Sequence, residues 1–101
     1  MAIANPTMHA RAGADGLARL VRDVRNGRAQ WAHPQHVRQS TDELVRAAEA
    51  LAAAVGEMTA ALARLEKPGP RVQQTTGALH LAGQAVTDAA VQLRQARRTM
   101  N

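Results

Sequence analysis

Two seven-residue ladders flank the segment Lys67-Pro68-Gly69-Pro70, and they restrict the chain to a helical answer. Before that segment, Leu44, Ala48, Leu51, Val55, Met58, Leu62 and Leu65 follow one another at alternating steps of four and three. Only a helix turns such a spacing into one continuous seam. After the segment, Val72, Thr76, Leu79, Gly83, Val86, Ala90 and Leu93 repeat the alternation. Pro68 and Pro70 have no amide donor, and Gly69 is expected to adopt the left-handed conformation that ends helices. So short a break between two long helices makes them antiparallel neighbours. The expected unit is an all-α, coiled-coil-like antiparallel hairpin.

Alanines run beside each ladder at intervals of seven: Ala47, Ala54 and Ala61 on the first helix, Ala82, Ala89 and Ala96 on the second. Small residues allow two backbones to approach toward the low end of the usual ~8 to 10 Å interhelical distance. Alanine is also the strongest helix former, so local preference and packing pattern agree.

At 101 residues the chain has the length of one domain. Its apolar supply is thin for that length. Leu, Ile and Val total 18, Phe and Tyr are absent, and Trp31 is the sole aromatic. Such a composition approaches that of chains that do not fold alone, whereas the regular periodicity argues for order. A second copy or a helical protein partner is therefore expected to complete the core, with a homodimer favoured. A three-helix bundle or a dimeric four-helix bundle both satisfy this reading. The interface is expected to use Leu44, Leu51, Val55, Met58 and Leu62 on one helix, with Leu79, Val86 and Leu93 on the other.

Three helices are expected, at about 15–26, 34–66 and 71–99. Residues 1–13, with Asn5, Pro6, Thr7 and Gly13 and no apolar period, are read as a mobile tail ahead of one helical domain, 14–101. Asp15 is a good cap for the first helix, and Asn26-Gly27 is a typical stop. The second helix has two competing starts. Ser40-Thr41-Asp42-Glu43 fits a capping box, while Pro34 suits a first helical turn and matches the third helix in length. Pro34 is the favoured start. Two hairpin registers are open, with Leu62 beside either Leu79 or Val72.

The net charge of +5 is uneven. At 100° per residue, Arg11, Arg19, Arg22 and Arg25 gather, with Asp15 among them, on the flank of the first helix opposite Leu17, Leu20, Val21 and Val24. This row could follow nucleic-acid phosphates or meet an acidic protein. No aromatic residue interleaves the arginines, which argues against base stacking. Arg94, Arg97 and Arg98 form a second basic group, where cations complement a helix C-terminus.

Catalysis has no evident footing. Asp42 and Glu43 sit at a candidate cap, Glu49, Glu57 and Glu66 are spread out, and no nucleophile elbow or phosphate-cradling glycine loop occurs. The absence of cysteine excludes disulfides and thiolate metal sites. His33 and His36 have no third ligand nearby in sequence, so neither a metal nor another cofactor is expected. Trp31 is expected to cover an open end of the helical bundle. No run approaches the ~18 apolar residues of a membrane span, so a cytoplasmic protein without membrane partners is expected. The favoured function is a non-catalytic interaction module that self-associates or docks a partner through its hairpin. The alternative is a small basic nucleic-acid-binding accessory protein.

Overall fold

The computed structural model describes residues 3–100, which form three helices and, among those residues, no strand. They are α1 (Thr7–Arg25), α2 (Pro34–Leu65) and α3 (Pro70–Arg98). The chain divides into two compact units, the first ending at Ala32 and the second beginning at His33. The second unit is the α2–α3 hairpin.

In the first unit, α1 begins eight residues before the expected Asp15. Asn5 accounts for this, because its Oδ1 accepts the Thr7 amide at 3.0 Å, and Pro6 supplies a φ of −71° ahead of the first turn. An amide that would otherwise lack a partner at the helix start is thereby satisfied. Gly13 and Gly16, each about 1 kcal/mol less favourable than alanine in a helix, are absorbed inside it. The part of the expected tail formed by Met1 and Ala2 lies outside the described residues. The helix stops where its sequence says it should. Gly27 has φ 75°, its amide bonds Val24 O at 3.2 Å, and the Arg28 amide reaches Asp23 O at 2.8 Å. This is the paired hydrogen-bond pattern of a Schellman motif. None of the residues of α1 is buried.

In the second unit, α2 starts at Pro34 with extended His33 before it, so Ser40-Thr41-Asp42-Glu43 lies within the helix. Gly69 departs from expectation. Its φ of 175° and ψ of 173° are extended, and it caps the start of α3 instead of ending α2. The pyrrolidine ring of Pro70 disfavours helical conformation in the residue before it, which explains the extended form. The Gly69 carbonyl accepts the Gln73 amide at 3.0 Å, opening the α3 ladder.

The hairpin interior is narrow. Val45 and Ala90 are its buried apolar side chains among the described residues, and buried Thr41 donates its hydroxyl to Val37 O at 2.8 Å. Thr59 bonds Val55 O in the same way, so hydroxyls tolerate the seam by bonding back along their own helix. On α3 the inward residues are those of the sequence ladder, Val72, Thr76, Leu79, Gly83, Val86, Ala90 and Leu93. On α2 the inward row is Thr41, Val45, Ala48, Ala52, Val55, Thr59 and Leu62. The predicted α2 ladder is thus divided: Ala48, Val55 and Leu62 face α3, while Leu51, Met58 and Leu65 stay 53%, 56% and 77% exposed.

The register is settled at the open end. Thr41 Oγ1 approaches Met100 Sδ at 3.8 Å. Moving three heptads up α2 reaches Leu62, and three heptads down α3 reaches Leu79, so these two leucines share a level. A Cβ built on Gly83 would lie 3.6 Å from Val55 Cγ1, consistent with that register.

Candidate protein-docking face of the hairpin

Ion pairs identify one broad face of the hairpin. Arg97 Nε donates to Asp42 Oδ1 at 2.9 Å, and Arg94 Nε lies 3.5 Å from Glu49 Oε1. Toward the turn, the same face carries an open groove of about 730 Å³ between Gly56 and Gly83, with His80, Gln84, Thr87 and Asp88 along its α3 wall. Glycines at 56 and 83 leave room there, since neither has a Cβ to fill it. Spacing alone did not reveal this groove, because it depends on which glycines the register brings together.

The opposite broad face has a different chemistry. Leu44 and Leu51 follow Asp42 and Glu49 by two residues, which turns them about 160° around α2. Ala96 follows Arg94 by two and is turned by the same amount around α3. Extending each row by heptads gives Leu44, Leu51, Met58 and Leu65 on α2, and Ala96, Ala89, Ala82 and Thr75 on α3. The alanines are exposed, as are the three larger residues from Leu51 onward, and Leu44 is half-buried. No ionisable side chain belongs to either row. The face therefore consists of a large apolar ridge beside a shallow lane of small residues.

The remaining expected interface residues, Val55, Leu62, Leu79, Val86 and Leu93, are half-buried between the helices of the hairpin itself. They serve the fold of the hairpin. Sequence periodicity placed one ladder on α2, from Leu44 to Leu65, and left out Val45, which the structure buries while Leu51, Met58 and Leu65 stay exposed. The stripe running from Thr41 through Val45 and Val55 to Leu62 is the covered one, and at Gly83 it meets α3 closely, with the Gly83 Cβ position 3.6 Å from Val55 Cγ1.

Arg11, Arg19, Arg22 and Arg25 are all exposed on α1, and Arg22 Nε lies 3.9 Å from Asp23 Oδ1. Of the second basic group, Arg94 and Arg97 are engaged with Glu49 and Asp42. His33 and His36 meet edge to face with ring centroids 5.1 Å apart. No cluster of three or more potential metal ligands is found among the described residues, nor is any helix long and apolar enough to cross a membrane. Trp31 keeps 41% of its surface exposed in the segment between α1 and α2. Comparison of the chain with protein-family models, with curated proteins and with solved structures finds no match in any of the three.

Proposed function

We propose that this protein is a non-catalytic interaction module whose hairpin self-associates through the face carrying Leu44, Leu51, Met58 and Leu65. The observation that carries this reading is the exposure of a heptad-spaced row of large apolar residues on a helix whose other stripe is already covered. An extended apolar surface is unfavourable in water at roughly 25 cal/mol per Å², and ordered rows of this kind mark association sites. The thin interior adds to the argument, since one hairpin alone buries little beyond Val45 and Ala90.

Thermal unfolding at several protein concentrations tests the proposal. Association makes Tm rise with concentration, because mass action favours the folded oligomer. Leu51→Asp is expected to abolish that dependence and to yield a monomer by sedimentation. A wild-type chain that sediments as a monomer at tens of micromolar, with a concentration-independent Tm, overturns the reading.

A second reading rests on α1, whose Arg11, Arg19, Arg22 and Arg25 are exposed on one helix with no acidic residue in its first turn. Such a row could bind nucleic-acid phosphates, with an affinity that falls steeply as salt rises.

A further inference from the structure

Resting on the self-association proposed above, the geometry points to one arrangement of two copies: a four-helix bundle in which α2 of each copy lies over the partner's α3, about a two-fold axis parallel to the helices. The argument begins with levels along the hairpin. Asp42 meets Arg97, Thr41 meets Met100, and Val55 meets the Gly83 position. Those contacts place Leu44 at the height of Ala96. Each step of seven then advances about 10.5 Å along both antiparallel helices, setting Leu51 level with Ala89, Met58 with Ala82 and Leu65 with Thr75.

A two-fold axis parallel to the helices preserves height while exchanging left and right. It brings Leu44, Leu51, Met58 and Leu65 of one copy over the partner's Ala96, Ala89, Ala82 and Thr75. Every large residue then meets a small one, and the reciprocal contacts follow from symmetry, as an isologous interface requires. Each helix gains a second antiparallel neighbour, the up-and-down arrangement of four-helix bundles.

The competing two-fold, perpendicular to the helices, stacks α2 on the partner's α2 and α3 on the partner's α3. Leucines then oppose leucines at one side and alanines oppose alanines at the other. Such a pairing needs two unequal helix separations across one interface, which wedges the faces apart.

The size of the face fits a second copy. From Leu44 to Leu65 it runs about 31 Å, and two helix widths of ~10 Å give roughly 600 Å² in projection. Side-chain relief raises the accessible area above the projection, toward the ~800 Å² per partner of a stable interface. The groove between Gly56 and Gly83 lies on the other face, so both copies retain it open to solvent.

Cysteine pairing tests the arrangement on the full-length chain, which has no native cysteine. An equimolar mixture of Leu51→Cys and Ala89→Cys chains, refolded together and oxidised, is expected to yield a covalent dimer as the major product. Each variant oxidised alone is expected to remain largely uncrosslinked. A mixture of Met58→Cys with Ala82→Cys repeats the test one heptad away, in case one substitution disturbs folding. Preferential crosslinking of Leu51→Cys with Met58→Cys chains overturns this arrangement in favour of α2 on α2, while self-association stands. Failure of every pair, with a monomeric mass for the wild type, overturns the arrangement and the underlying association together.

Discussion

Arg97 Nε donates a 2.9 Å hydrogen bond to Asp42 Oδ1, tying the last turn of α3 to the third turn of α2. With Met100 against Thr41 and Arg94 near Glu49, it holds the hairpin register at the end farthest from Pro68 and Pro70. The Arg97 side chain is 33% and the Asp42 side chain 53% exposed, so solvent screens the attraction. Asp42→Asn is expected to lower stability by less than about 1 kcal/mol. Denaturant titration should show the loss at low salt and its shrinkage in 1 M salt, where the Debye length falls to about 3 Å.

Gly83 should respond to size with a change of sign. Its added Cβ would stand 3.6 Å from Val55 Cγ1, an ordinary contact, so Gly83→Ala is expected to stabilise the hairpin by about 0.5 to 1 kcal/mol through helix preference. Gly83→Leu extends the side chain into the close approach of α2 and α3, with an expected cost of about 1 to 3 kcal/mol. Urea midpoints of the two variants decide this. A destabilising alanine would contradict the contact.

Val45 and Leu51 separate the two stripes of α2. Val45 is 7% exposed, so Val45→Ala removes two buried methylene equivalents, about 1.6 kcal/mol at ~0.8 each. Its effect should be the same at every protein concentration. Leu51→Ala should act mainly through association, lowering Tm most where the wild type is most assembled. Parallel melting curves at two concentrations distinguish these behaviours.

The basic row of α1 makes a separate prediction. If it tracks phosphates, replacing Arg19, Arg22 and Arg25 by Gln abolishes duplex binding and flattens its salt dependence, because each lost contact removes roughly one released counterion. Helical content should barely change, since Arg and Gln have similar helix preferences. Fluorescence anisotropy near 50 mM salt provides the measurement. Absence of wild-type binding there would eliminate the nucleic-acid reading.

Much of this architecture follows from local chemistry. Proline at positions 34, 68 and 70, the Asn26-Gly27 stop and the four-three ladder on α3 act within a few residues, so helix type and most boundaries were legible before any packing was known. Asn5 and Pro6 also act locally, and their signal was outweighed by the glycines that follow. What only the tertiary structure decided is which stripe of α2 becomes interior. Val45 and Leu51 are both large aliphatic residues at heptad-compatible positions, and nothing in their own helix ranks one above the other. The choice belongs to α3: Gly83, whose Cβ position lies 3.6 Å from Val55 Cγ1, and buried Ala90 admit a close approach to the stripe that carries Val45, Val55 and Leu62. With that stripe covered, Leu51 stays on the surface, level with Ala89, because two packed helices can cover only one face of each other.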